Sequence, residues 1–264
     1  MSDQLPSFDR PPLIETVLGV QFAPVDGLSS AHLGLFWREI GPEWTRVQEG
    51  EPVGQILLDE GAGGVFSPDS LSNRARRLKF LDASSSRMVQ VENGWLIYNW
   101  RRRAPGDAYP RFETLLPEFQ RVFRALCAFL VSQGFGEPKI NLWEVCYVND
   151  IAKGTVWNTP QGWPELFPCL LAAPSLSQVG APLTASARWR FPIVRAHASL
   201  EVVLNHVADG DGSTEILRLT QLARGSAGNL AGLEQGLHDG HRAIVHTFAE
   251  ITSVAAHRQW GRTR

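Results

Sequence analysis

Residues 94–151 read GWLIYNWRRRAPGDAYPRFETLLPEFQRVFRALCAFLVSQGFGEPKINLWEVCYVNDI, and this stretch decides the fold. It opens with a strand over 95–101, continues as a helix begun by Pro110 and running to about Gln133, and closes with a strand over 139–151. In the helix, Phe112, Leu115, Leu116, Phe119, Val122, Phe123, Leu126, Phe129 and Leu130 recur at spacings of three and four, which makes one wide apolar face. Arg111, Glu118, Arg121 and Arg124 take the opposite face. Pro117 falls inside the pattern; an interior proline removes a hydrogen bond and costs about 3 kcal/mol, so a short first turn over 110–115 and a main helix from 116, or a kink, is predicted. Gly134 and Gly136 end the element. The two strands carry polar residues in apolar runs, namely Asn99, Arg101, Glu144 and Asn149. A polar group in a buried strand must find a partner or serve a purpose.

Working outward, Leu13–Phe22 alternates as a strand entered through Pro11-Pro12. Ser29 or Ser30 caps a helix to about Ile40, with Leu33, Phe36 and Trp37 as its apolar stripe. Strands are predicted over 52–59 and 77–81, with a Gly- and Ser-rich loop over 60–73 between them. Arg87–Glu92, the Asn93-Gly94 turn and Trp95–Arg101 form a hairpin. Pro160, Pro164, Pro168 and Pro174 mark 153–181 as a connection without periodicity. Strands follow over 184–193, 198–206 and 214–222, the last two separated by Asp209-Gly210-Asp211-Gly212. A final long helix over 230–257 carries Leu233, Leu237, His241, Ile244, Phe248 and Ile251 on one stripe.

Strands in runs with few helices predict an α+β fold: antiparallel sheets packed by long amphipathic helices, in two similar halves that each run strands and then a helix. The halves are placed at 11–152 and 182–260, joined by 153–181. No Gly-rich phosphate fingerprint follows a strand, so no nucleotide cofactor is expected. At 264 residues such a chain buries roughly three quarters of its unfolded surface. A net charge of −2 gives no overall pull toward nucleic acid or anionic membrane. The polar start and the lack of an ~18-residue apolar window predict neither a signal peptide nor a membrane span. Cys127, Cys146 and Cys169 lack metal spacing and cannot all pair, which fits a reducing, cytoplasmic setting.

Several short motifs stand in order along the chain: Pro11-Pro12-Leu13-Ile14-Glu15, Tyr98-Asn99-Trp100-Arg101, Tyr109-Pro110-Arg111-Phe112-Glu113, 144–151 (EVCYVNDI), Leu237-His238-Asp239 and Phe248-Ala249-Glu250-Ile251-Thr252. In that order and spacing the chain resembles a sporadically distributed bacterial family of unknown function, from about residue 11 to residue 260. The Cys-Tyr-Val-Asn-Asp stretch departs from the Thr-Tyr-Ile-Asn pattern of that family in size but keeps the polar Asn149. The resemblance implies a cytoplasmic accessory protein, patchily distributed among genomes, and patchiness points to mobile or defence-related gene sets. It implies no chemistry.

Glu144 sits among apolar neighbours in the 139–151 strand, which is apolar on both sides and so reads as central. A buried carboxylate is neutralised by protonation or by a cation. Arg101 is the expected partner, with Glu15 joining the cluster. Glu15, Asn99, Arg101, Glu144 and Asn149 are therefore the candidate binding residues, read either as a pocket for a polar ligand or as an ion pair that fixes strand order. Arg101-Arg102-Arg103 and the basic run over 74–79, near Trp95, Trp100 and Tyr109, offer phosphate contacts and stacking for single-stranded nucleic acid; strand alternation divides such runs between faces, and a solvated strand end is the bland alternative. His238, Asp239 and His241 lack a third ligand, and His241 belongs to the apolar stripe, so no metal is expected. Cys127 and Cys146 read as buried and inert, Cys169 as the exposed thiol, and no serine sits in a Gly-x-Ser-x-Gly elbow. No catalytic set assembles. The expectation is a binding or accessory module whose partner is another protein, with a small-molecule enzyme or ligand sensor using Glu144, Arg101 and Asn99 as the alternative and nucleic acid on Arg101–Arg103 behind both.

Overall fold

The structure is a computed structural model and describes residues 4–54, 56–57, 65–66, 76–171, 183–194, 196–208 and 214–264. Its elements in chain order are β1 (Leu13–Phe22), α1 (Ser30–Glu39), β2 (Trp44–Gly50), β3 (Ile56–Leu57), β4 (Val65–Phe66), β5 (Arg77–Asp82), β6 (Arg87–Glu92), β7 (Trp95–Arg101), α2 (Phe112–Ser132), β8 (Ile140–Ala152), α3 (Trp163–Leu166), β9 (Ser186–Ile193), β10 (Ala198–Ala208), β11 (Glu215–Ser226), α4 (Leu230–Ile251) and α5 (Val254–Gln259). Residues 55 and 58–59 of the expected 52–59 strand, most of the 60–73 loop, the end of the 153–181 connection and the whole Asp209-Gly210-Asp211-Gly212 turn lie outside the described residues.

The expected architecture of antiparallel sheets packed by long amphipathic helices in two similar β-then-helix halves is overturned. Nine of the described strands hydrogen-bond into one antiparallel sheet in the order β2-β5-β6-β7-β1-β8-β11-β10-β9, and β3 pairs with β4 alone. Periodicity tells which residues share a face but not which strands are neighbours, and that is where the expectation fails. The chain divides into two compact units: Met1–Ile14, Cys146–Ala223 and Asp239–Arg264 in the first, Glu15–Val145 and Arg224–His238 in the second.

In the second unit, register alone separates the two faces of the sheet. Phe80 lies opposite Val89, Val89 opposite Tyr98, and Tyr98 opposite Leu18, which makes an apolar row across four strands. This face takes the helices: Phe36 of α1 meets Phe80 at 6.4 Å and Phe129 of α2 at 5.6 Å between ring centroids. All nine apolar residues expected on the α2 stripe are buried. The helix runs unbroken through Pro117, correcting the predicted early break. Pro117 is exposed, and burial of Leu115, Leu116 and Phe119 on either side of it offsets the lost hydrogen bond. Helix α2 begins at Phe112 rather than Pro110, after Arg111 in a positive-φ conformation (72°). The opposite face reads Lys79, Gln90, Ile97, Gly19 along one row and Leu81, Met88, Asn99, Val17 along the next.

The extended segment before β3 docks on that second face. Gln21 holds Ile56 by both of its backbone groups, donating to the carbonyl at 3.0 Å and accepting from the N–H at 2.7 Å. Glu92 accepts from the N–H groups of Val53 (2.8 Å) and Gly54 (3.1 Å), and Trp95 Nε1 donates to the Gly54 carbonyl at 2.6 Å. Three buried side chains thus satisfy backbone groups of Val53, Gly54 and Ile56. Ile56, Trp95, Ile97 and Leu142 close into a small apolar cluster beneath it.

In the first unit, the expected 230–257 helix is two helices: α4 stops at Ile251, and Ser253 caps α5 by accepting from the Ala256 N–H. Phe8, Phe248, His257 and Trp260 pack together around this corner. Strand β9 is the last strand of the sheet order. The Ala185 carbonyl accepts from the His206 N–H at 3.0 Å, and ladder bonds fall on alternate pairs, so Trp189, Phe191 and Ile193 turn their backbone groups toward β10. Arg188, Arg190 and Pro192 turn theirs to the outer edge, where proline has no N–H to offer.

Candidate functional site

Glu15 lies directly opposite Arg101 in the β1–β7 register, which follows from strand order: β1 stands between β7 and β8. Arg101 Nε donates to Glu15 Oε1 at 2.8 Å, and Asn99 Nδ2 donates to the same oxygen at 2.7 Å. Gln90 Nε2 donates to Asn99 Oδ1 at 2.8 Å. The result is a hydrogen-bonded chain Gln90–Asn99–Glu15–Arg101 across β6, β7 and β1, with Asn99 and Gln90 buried (3% and 8% exposed).

The expected Glu144–Arg101 pair does not form. Glu144 is buried, and its Oε2 accepts from Arg224 Nε at 2.6 Å, an arginine supplied by β11 on the far side of β8 from β1. Gly19 makes room for it: a Cβ at that position would stand 3.3 Å from the Glu144 Cβ. Asn149 is buried farther along β8 and belongs to the first unit. So the structure brings Glu15, Asn99 and Arg101 together and gives Glu144 a separate partner.

The chain forms part of the floor of a cleft of about 590 Å³ on the face opposite α1 and α2. Strand alternation aims the lining: Glu15 and Val17 from β1, Ile97, Asn99 and Arg101 from β7, Met88 and Gln90 from β6, Arg77, Lys79 and Leu81 from β5, and Arg46 and Gln48 from β2. Ser84, Ser85 and Arg103 complete one end. There Arg46 donates to the Ser85 hydroxyl and to the Asp82 carbonyl (3.3 Å), while Arg103 Nε donates to the Ser85 carbonyl at 2.7 Å. Ser85 takes φ 61°, a left-handed conformation. The Asp82 carboxylate anchors the same turn by accepting from Ser84 Oγ and from Arg87. These contacts hold the Asp82 carboxyl below the ordinary carboxylate range against the upward push of burial.

Among the described residues, five cationic side chains therefore line the cleft against one carboxylate, that of Glu15. Among the described residues no aromatic side chain lines it. The Arg101–Arg103 run is divided: Arg101 and Arg103 line the cleft, and Arg102 does not. Trp100 points to the helix face, where it meets Tyr109 at 5.4 Å, so it offers no stacking platform beside those arginines. Sequence reasoning passed over Gln90, Arg46 and Arg224. Gln90 was accessible through the hairpin, since the Asn93-Gly94 turn fixes Met88 opposite Asn99 and Gln90 opposite Ile97.

Of the other candidates, His241 is buried and shares a hydrogen bond with the Tyr147 hydroxyl at 2.8 Å, while His238 packs edge-on against Phe112. Among the described residues no group of three metal-ligating side chains assembles, and no helix is long and apolar enough to cross a membrane. Burial pushes the Cys127 thiol up to about 11, which makes it a poor nucleophile; Cys169 is exposed. No family model matches the chain, and no curated protein is significantly similar to it.

Proposed function

We propose that this chain is a non-covalent binding module whose recognition site is the cleft of the second unit, and that its ligand is a small anion. The supporting observation is the charge of the lining: Arg46, Arg77, Lys79, Arg101 and Arg103 against Glu15, over a floor of hydrogen-bonded amides. A concave site concentrates the field of its charges and raises the local concentration of counter-ions. Arginine forks suit carboxylate and phosphate alike. A volume of about 590 Å³ falls within the range of small-molecule sites. The network around Glu15 makes Arg101 rigid and leaves Arg46 and Arg103 as the side chains that meet the ligand at the Ser84-Ser85 end.

Calorimetric titration with octyl monophosphate, against octanol as the uncharged control, tests this reading. Binding that weakens as salt rises and drops by roughly tenfold or more in Arg46→Met or Arg103→Met supports it. Binding of octanol and octyl monophosphate with equal affinity, or no binding of any small anion, rejects it. Capture of an acidic peptide with no small-anion binding would return the site to the protein partner expected from the sequence.

A further inference from the structure

Arg77 and Lys79 stand two residues apart on β5 and project onto the cleft face. Their side chains gather over Gly50, which lies opposite Arg77 in the β2–β5 register. A Cβ at Gly50 would stand 2.8 Å from Lys79 Cε, 3.2 Å from Lys79 Nζ and 3.6 Å from Arg77 Nε. Two cations thus converge where the neighbouring strand withholds a side chain. Among the described residues neither pairs with a carboxylate, and Arg77 Nε is buried with no hydrogen-bond partner. Like charges brought together repel, and a buried donor left unmade carries a desolvation cost. Both are relieved by one anion seated between the two side chains.

The other end of the cleft has its own cations. Arg46 lies opposite Leu81, four residues along β5 from Arg77, which is about 13 Å of strand. At that end Arg46, Arg101 and Arg103 face the single carboxylate of Glu15, a surplus of two positive charges, and the Arg77–Lys79 end carries two more. The floor between them includes buried Leu81, Met88 and Ile97, with Gln48 and Gln90 alongside. A surplus of two at each end matches a phosphoryl group, which carries about −1.5 to −2 at neutral pH, better than a carboxylate, which carries one charge.

We propose that Arg77 and Lys79, over Gly50, form a second phosphoryl subsite, so that the cleft takes an elongated organic bisphosphate whose two phosphoryl groups are held at opposite ends and whose uncharged middle lies over Met88 and Ile97. This rests on the cleft being an anion site, and it adds the number, spacing and class of the anionic groups. The ligand is a small molecule and not a nucleic-acid strand, because binding of single strands draws on aromatic stacking and no ring among the described residues lines the cleft.

The test titrates the full chain with octane-1,8-diol bisphosphate, octyl monophosphate, the ten-carbon dicarboxylate and a trinucleotide of deoxythymidylate. The bisphosphate is expected to bind roughly 10- to 100-fold more tightly than the monophosphate, the worth of a further charge-assisted contact. Arg77→Met and Lys79→Met, which keep much of the apolar stems, weaken the bisphosphate more than the monophosphate and so reduce that ratio to near one. Gly50→Ala, whose methyl displaces the Lys79 terminus without removing a charge, reduces the ratio in part and supplies an independent reading if either charge variant folds poorly. Equal affinity for bisphosphate and monophosphate, or a ratio untouched by all three substitutions, overturns the second subsite while leaving the anion-binding reading intact. A dicarboxylate that matches the bisphosphate overturns the phosphoryl assignment, and a trinucleotide that binds tighter than the bisphosphate overturns the small-molecule assignment. Failure of every anion to bind removes the underlying reading as well.

Discussion

Replacing Asn99 by alanine should separate the floor of the cleft from the strands that carry it. The side chain is 3% exposed and makes two hydrogen bonds, accepting from Gln90 and donating to the Glu15 carboxylate. A neutral bond contributes about 1 kcal/mol and one to a charged group about 1.5–3 kcal/mol. Because Gln90 is itself buried, Asn99→Ala strands its amide donor rather than returning it to water. The sum is about 2.5–4 kcal/mol of lost stability, equivalent to a fall in melting temperature of roughly 5–15 °C for a chain of this size. Urea titration of wild type, Asn99→Ala, Gln90→Ala and the double variant measures it. The double variant should be less destabilised than the sum of the singles by about 1 kcal/mol or more, since the shared bond can be lost only once. A loss below about 1 kcal/mol in Asn99→Ala, or strict additivity in the double variant, would refute the account of these residues as one connected chain.

Arg224→Ala strands the Glu144 carboxylate in a strand buried on both faces, and should cost about 3 kcal/mol by urea denaturation, with Glu144→Gln recovering part of the loss in the double variant. Gly236→Ala drives a methyl group into the buried Trp143 indole; overpacking of about 1–3 kcal/mol exceeds the helix-propensity gain of about 1 kcal/mol, so the variant melts below wild type in a thermal scan. His257 titrates below the usual histidine range, first because it is buried and second because Arg262 lies beside it. Its tautomer follows from its partners: Thr252 Oγ1 donates to the Phe248 carbonyl, so His257 Nε2–H donates to Thr252 and Nδ1 faces Arg262. The neutral ring is the folded form, so its contribution is complete above the unfolded pKa of about 6.5 and is lost as pH falls through the lower folded value. Wild type should therefore lose urea resistance between pH 7 and pH 5 more steeply than His257→Gln; equal slopes would count against the assignment.

Hydrophobic periodicity made much of this fold legible. Apolar runs marked β1 and β8, the Asn93-Gly94 turn marked the β6–β7 hairpin, and the threefold and fourfold spacing of α2 was read residue for residue. What escaped has a common cause. Strand β2 (WTRVQEG) sits at the end of the sheet order and is exposed over most of its length, so it carries almost no apolar signal. The neighbour relations of strands are set by contacts between residues far apart in the chain, which no local pattern encodes. That is why Arg101 was matched with Glu144: both are polar residues in apolar strands, and nothing local says that β1 lies between them. Arg224 was missed because β11 continues to Ser226, past the expected end at 222. Arg77 and Lys79 lay in a basic run that reads as a solvated strand end; only Gly50 on the neighbouring strand gives their convergence a shape.

The outer edge of β9 has a consequence for self-association. A sheet can grow by accepting another chain's strand wherever its last strand presents an unbroken row of donors and acceptors. Pro192 breaks that row by lacking one hydrogen atom, and the break lies on the side that faces outward. Propagation from this end is thus opposed by covalent chemistry, and that opposition persists even when neighbouring parts of the chain open.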